Sequence, residues 1–354
     1  MNDTPASKPP VPASPGADAR EPHTPPAEPG PGPRTGSALV GAAAGAGLGM
    51  VVAGPIGVVL GGTLGGVAGA IGAAATGTGV LPEPAAPDPV HLHIDDSGGT
   101  GRPVVLIHGW PLSALAWEPQ TQALKEAGFR VVAYDRRGFG RSDKPAAGYD
   151  YDTLADDLER VLDDLGLEDV TLVGFSMGGG EVARYVARHG EARLCSVVFA
   201  AAVPPAMLKT ADNPDGPLTP EAAKAMKKGV EDDREAFFEQ FTRDFFSVDG
   251  QLLVSEPVRA QALAQCHQSA QAATLGCMDA FGRTDFREDL QQITVPTLVI
   301  HGDADAIVPL EGSGLRTHRA VAHSELVTIA GAPHGLNATH APAFNAALLD
   351  FLER

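Results

Sequence analysis

Cysteine is scarce in this 354-residue chain: Cys195, Cys266 and Cys277 are an odd number at wide spacings. No CxxC pair and no Cys/His zinc spacing occurs, so neither a disulfide framework nor a structural zinc centre is supported. The thiols read as ordinary semi-buried groups in a reducing compartment, which points to the cytoplasm. Positive charge is also short, with 26 Lys and Arg against 44 Asp and Glu and a formal net charge of −18. That balance excludes a nucleic-acid partner, which needs a basic face to neutralise phosphates. It suits a protein acting on small neutral molecules. A lysine and serine or threonine after a glycine run is missing too: Glu181 follows TLVGFSMGGG (171–180), so that stretch is no phosphate loop.

A third absence divides the chain. Residues 36–82 contain no charged residue and are dominated by Gly, Ala and Val. Gly41, Gly45 and Gly49 form one i, i+4 series, and Gly57, Gly61, Gly65 and Gly69 another. On a helix that spacing lines one face with glycine and admits a second helix closely. Pro55 splits the segment into halves of roughly 20 residues, each about long enough to enter a bilayer. The expectation is a glycine-zipper-like segment for membrane insertion or self-association. The plainer reading is a Gly/Ala linker, since each glycine costs a helix about 1 kcal/mol. Residues 1–35 form a Pro-rich leader with little to bury, expected to be disordered. Residues 83–88 read as a linker. A cleaved secretory signal is not expected, because the apolar run starts late and lacks a basic leader.

From residue 89 to 354 the pattern changes to short apolar runs alternating with helix-like stretches. The runs are VHLHI (90–94), PVVLIHG (103–109), RVVAYD (130–135), DVTLVGF (169–175), CSVVFAA (195–201), PTLVIHG (296–302) and ELVTIAG (325–331). Helical patterns cover 114–128, 151–166, 179–190 and 342–352. Continuous Val/Ile/Leu strands alternating with helices predict an α/β fold with a mainly parallel sheet covered on both faces. The interval 204–290 is longer, helix-rich and strand-poor, and reads as a cap insertion over one end of the sheet.

In such a sheet, ligands bind beyond the carboxyl ends of the strands. Ser176, the HGDAD loop and His334 stand there in the order Ser, Asp, His. Ser176 lies between Gly174 and Gly178, in a sharp strand-to-helix turn where larger neighbours would collide. The helix starting near Met177 points backbone N–H groups at a developing oxyanion. His334, on a late loop (GAPHGLN), is the expected general base. His340 reads as a capping or surface residue, His301 as a strand-end residue, and His108 as shaping the loop after its strand. His91 and His93 alternate on a strand without a third ligand, so no metal is expected. Asp303 and Asp305 are both available as the acid that orients the imidazole, and residue chemistry leaves them open.

These segments are similar to one family. VVLIHGWPLS, YDRRGFGRSDKP, VTLVGFSMGGGEVARY, FGRTDFREDL, VPTLVIHGDADAIVP and GAPHGLNATHA resemble the α/β-hydrolase branch of cofactor-free haloperoxidases, perhydrolases and arylesterases, from about Val90 to Leu352. The resemblance implies an α/β-hydrolase fold and a catalytic triad of Ser176, Asp305 and His334. It also implies an oxyanion hole from the backbone N–H groups of Trp110 and Met177. No cofactor is implied. The implied reaction is acyl transfer from small esters, with hydrogen peroxide able to replace water and give a peracid. Pro111 after Trp110 resembles the aromatic-Pro pair of the haloperoxidase members and is expected to set the Trp110 carbonyl so as to favour peroxide. An unchanged perhydrolysis-to-hydrolysis ratio in Pro111→Leu would remove that expectation. Trp110, Trp117 and Phe175 suggest an apolar acyl pocket.

The family usually begins with one more strand, so the sheet is expected to be one edge strand short. Nothing in the family corresponds to residues 1–88. An epoxide hydrolase or dehalogenase needs Asp at the nucleophile position, which Ser176 excludes. A lactonase, C–C hydrolase or acyltransferase would use the same triad. A reading of another class is a non-catalytic ligand receptor or scaffold tethered by its Gly-rich segment.

Overall fold

The computed structural model describes residues 90–354, besides Met1. The expectations for 1–35, 36–82 and 83–88 lie outside the described residues. Seven strands make one sheet: β1 (Ile94–Asp96), β2 (Pro103–Ile107), β3 (Arg130–Tyr134), β4 (Val170–Phe175), β5 (Leu194–Ala200), β8 (Thr297–Gly302) and β9 (Ser324–Ile329). Between β5 and β8 two short strands, β6 (Ser247–Val248) and β7 (Gln251–Leu252), form a separate hairpin. The sheet order is β1-β3-β2-β4-β5-β8-β9. Every pairing in it is parallel except β1 with β3.

Strands β2, β4 and β8 are buried almost throughout, which is why they carry no polar alternation. The helices begin with α1 (Glu118–Glu126), α2 (Tyr151–Asp164) and α3 (Met177–His189). Then come α4 (Pro220–Asp232), α5 (Arg234–Phe245), α6 (Glu256–Gln268), α7 (Gln271–Arg283) and α8 (Arg287–Leu290). The last are α9 (Gly314–Ala320), α10 (Leu336–Thr339) and α11 (Ala341–Leu352). Helices α1 and α11 pack against each other, as α2 packs against α3, so the sheet is sandwiched between helices. Asp150 caps α2 by accepting the Thr153 N–H at 2.9 Å, which fixes where that helix starts.

The first strand departs from expectation. Residues 91–93 do not pair in the ladder, because their backbone is taken by the loop after β3. The His91 N–H donates to Asp143 and the His93 N–H to the Ser142 hydroxyl, each at 2.8 Å. Strand pairing begins only at Ile94, opposite Tyr134. Three residues long and carrying Asp95 and Asp96, β1 is a short charged edge of the kind that resists further pairing. Between Pro204 and Leu290 lie helices α4 to α8, with the β6–β7 hairpin between α5 and α6.

Candidate active site

Ser176 follows β4 with φ 54° and ψ −117°, a left-handed conformation that costs a non-glycine residue about 1–3 kcal/mol. Three backbone hydrogen bonds hold it there. Its N–H donates to the Ala200 carbonyl at 2.9 Å, and its own carbonyl accepts from Gly179 and Val203, each at 3.1 Å. The turn is so tight that a Cβ on Gly174 would lie 2.5 Å from the Gly178 carbonyl oxygen. One on Gly178 would lie 2.5 Å from the Ile107 carbonyl oxygen. Any larger residue at either position would push the strand and helix apart.

Three loops meet at this turn. The Ser176 hydroxyl lies 2.9 Å from His334 Nε2, and His334 Nδ1 lies 2.7 Å from Asp305 Oδ2. Nδ1–H therefore donates to the carboxylate and Nε2 is left to accept the serine proton. The other carboxylate oxygen, Oδ1, accepts the N–H groups of Ile307 at 3.0 Å and Val308 at 2.8 Å. Burial opposes the Asp305 charge, but His334 and His301 outweigh it and hold the carboxyl far below its ordinary range. Asp303 is separated from this relay. It is exposed and accepts the Gly331 N–H at 2.6 Å, tying the loops after β8 and β9 together.

Two neighbours of the relay were not legible as site residues. His301, read as a strand-end residue, has Nε2 at 2.8 Å from the Val308 carbonyl and 3.4 Å from Asp305 Oδ2. It buttresses the loop that presents the acid. Phe245, from cap helix α5, stands edge-on to the His334 ring at 5.2 Å, and Phe175 lies against the same ring at 5.2 Å. The HGDAD spacing is the one signal for His301. Phe245 carries none, because only the fold brings the cap to the imidazole.

The backbone N–H groups of Trp110 and Met177 have no acceptor within the protein among the described residues. The loop bearing Trp110 is braced by a buried network. Arg136 forms an ion pair with Glu181 and donates through Nη2 to the His108 carbonyl at 2.6 Å. The Arg136 backbone N–H donates to His108 Nε2 at 3.0 Å, and Tyr134 donates its hydroxyl to Glu181 at 3.0 Å. Burial, followed by the charge of Arg136, pushes His108 down to about 3, so it stays a neutral acceptor. Tyr151 reaches the other half of the site, donating to the Met177 carbonyl at 3.0 Å.

Ser176 and His334 open on a cavity of about 50 Å³ lined by Trp110, Val203, Met207, Met226, Phe241 and neighbouring apolar side chains. Pro111, Trp117 and Phe175, expected as pocket residues, do not line it. Trp117 is turned into the core between Phe175 and Phe344, and Phe175 sits behind His334 as its backing. Pro111 is buried within its loop. The apolar lining comes instead from the cap and from Ala306, Ile307 and Val308 beside Asp305. His340 precedes α11 and bonds the Thr339 hydroxyl at 2.9 Å, and His93 pairs with Asp95 at 3.1 Å. No cluster of three His, Cys, Asp or Glu side chains suited to a metal occurs among the described residues.

A family model described as alpha/beta hydrolase fold matches residues 102–341. The chain belongs to that family. Within it, the chain is 46% identical to a putative non-heme chloroperoxidase of Synechocystis over 75% of its own length and 95% of the relative's. It is 39% identical to a bifunctional esterase/perhydrolase of Acinetobacter calcoaceticus, covering 75% of this chain and 97% of that one. The crystal structure of a bromoperoxidase from Bacillus anthracis superposes with a TM-score of 0.74 at 52% identity, over 75% of this chain and 97% of that one. This alpha/beta hydrolase is therefore an enzyme of the non-heme haloperoxidase branch. The family model starts at residue 102, leaving the chain before it unmatched.

Proposed function

We propose that this hydrolase is a serine esterase and perhydrolase acting on short-chain carboxylic esters and acids. The observation that carries the reading is the relay from Asp305 through His334 to Ser176, opening on a small apolar cavity. His334 removes the Ser176 proton as the hydroxyl attacks the acyl carbon. Asp305 orients the imidazole and stabilises its protonated form. The N–H groups of Trp110 and Met177 hold the oxyanion, supported by their lack of any internal acceptor.

The acyl-serine is then released to water or to hydrogen peroxide, giving a carboxylic acid or a peracid. A cavity of about 50 Å³ has room for roughly four water-sized groups, which supports acyl chains of a few carbons. The largely apolar lining supports esters and carboxylic acids that enter in their protonated form.

The test uses a fluorophosphonate probe and p-nitrophenyl acetate turnover, with peracid formation followed separately from acetate and peroxide. The expected result is labelling and turnover by the wild type, with Ser176→Ala losing both and keeping its thermal midpoint. An unlabelled, inactive wild type would overturn the enzyme mechanism. An active esterase that forms no peracid would overturn its perhydrolase part.

Attachment to membranes or self-assembly through residues 36–82, and action in the cytoplasm, remain proposals that rest on composition. Among the described residues no helix is long and apolar enough to cross a membrane. Fractionation of the full chain against a variant lacking residues 1–88 tests the attachment: a full chain that stays soluble and monodisperse would overturn it.

A further inference from the structure

All four methionines of residues 90–354 gather around one site. Met177 follows the nucleophile in the chain. Met207 and Met226 line the cavity shared with Ser176 and His334. Met278 lines a second cavity of about 290 Å³, whose wall shares Leu218, Met226 and Phe281 with the first. Relative exposure is 0% for Met177, 5% for Met207, 9% for Met226 and 7% for Met278. These thioethers are therefore shielded from bulk solvent, and the two at the cavity face the place where the acyl group is transferred. Leucine or phenylalanine, both present in the same lining, would supply similar apolar volume without an oxidisable atom.

We propose that Met207 and Met226 are modification sites, oxidised to methionine sulfoxide by the peracid formed at Ser176. The proposal rests on the perhydrolase reading above. Hydrogen peroxide attacks the acyl-serine, the Ser176 ester bond breaks, and His334 returns a proton to the serine oxygen as the peracid leaves. The thioether sulfur then attacks the outer oxygen of the peracid. The O–O bond breaks, a sulfur–oxygen bond forms, and the peracid departs as the carboxylic acid carrying its own proton. Sulfur loses two electrons and the peroxide oxygens gain them, so no further oxidant is needed.

The two fully buried cysteines, Cys266 and Cys277, do not compete for this oxygen. Burial pushes the Cys277 thiol up to about 12 and raises Cys266 likewise, so the reactive thiolate is scarce. A thioether needs no deprotonation to react. The product is a polar, hydrogen-bond-accepting sulfoxide in a chamber whose lining, apart from Ser176 and His334, is apolar. Acyl binding weakens, and perhydrolysis limits itself as sulfoxide accumulates.

The experiment incubates the full-length protein with acetate and hydrogen peroxide, measures peracetic acid, and maps oxidation by peptide mass. Ser176→Ala is treated with the same peroxide. The expected result is sulfoxide at Met207 and Met226 at least about fivefold above the Ser176→Ala level, because only the wild type makes the oxidant in place. Esterase activity should fall in proportion to peracid made. In the Met207→Leu/Met226→Leu double variant it should fall more slowly, each protein being compared with its own initial rate. Peracid formation with equal oxidation in wild type and Ser176→Ala would overturn the inference and leave the perhydrolase reading standing. No peracid from the wild type would remove that reading, and the inference with it. The mass comparison needs neither methionine variant to fold.

Discussion

Two buried clusters of charge flank Ser176, and they are built to opposite ends. In one, Arg136, Glu181, His108 and Tyr134 are paired among themselves and, through His108 Nδ1, with the Gly109 carbonyl. The ion pair is enclosed, the histidine ring is bonded at both nitrogens, and the phenol is spent on the carboxylate. In the other, Asp305 is equally buried, but its histidine keeps one nitrogen turned to a serine beside a cavity. Burial raises the stakes of both clusters, since an unpaired charge in a low-dielectric interior is costly. What separates bracing from chemistry is whether one proton acceptor is left facing open space. The closed cluster holds the loop of Trp110, while the open one leaves a nitrogen placed to take a proton from Ser176.

The sharpest way to break the comparison is Asp305→Asn. The amide can still accept the N–H groups of Ile307 and Val308, but it leaves the imidazole wrongly oriented and its protonated form unsupported. Ester turnover should fall by at least about a thousandfold, far more than the accompanying drop in thermal midpoint accounts for. A small loss of turnover would place Asp305 in the bracing class.

Glu181→Gln should do the reverse, leaving Arg136 buried without a counter-charge. Stability should drop by about 3–5 kcal/mol in denaturant titration, with the pH profile of turnover unaltered. A shifted profile would show the closed cluster to be part of the proton path.

His301→Gln is a finer probe. As a positioning residue behind Asp305, it should lower kcat by about tenfold and leave KM in place. A change in KM alone would reject that role.

The smallest effect is on stability against pH. The folded protein keeps His108 neutral down to about 3, whereas the unfolded chain takes up that proton near 6.5. The unfolded state therefore binds more protons between those values, and stability falls as pH drops from about 6.5. Asp305, held low when folded, adds a loss further into acid as pH falls through its folded value. Glu181 opposes them: burial, only partly offset by Arg136, pushes its carboxyl up, so its contribution is present below 4.5 and is lost as pH rises. The melting temperature should fall by about 5 °C between pH 7 and pH 5, measured by calorimetry. The same fall should be steeper in Glu181→Gln, which lacks the opposing carboxyl; a flat profile in that variant would mean that His108 is charged in the fold.

Much of this was written in local sequence. The alternation of apolar runs and helices, the Gly174–Ser176–Gly178 turn and the order Ser, Asp, His depend on neighbours a few residues away, where spacing and backbone sterics decide. The choice between Asp303 and Asp305 is different in kind. Their spacing to the preceding strand differs by two residues, and only the path of the loop sends one to solvent and the other beneath His334. Trp117 and Phe175 misled for the same reason. Aromatic character predicts burial, but not which side of a wall the ring occupies.

The chain by itself determined the sheet, the serine held in the strand-to-helix turn and its candidate histidine, because these follow from period, turn geometry and residue chemistry. Tertiary structure alone decided which acid is buried, that His301 stands behind it, and that Phe245 from the cap backs the imidazole. It also set the width of the cavity and gathered the methionines around it. Those properties arise where loops and helices distant in sequence are packed together, and no local pattern encodes a distance across such a gap.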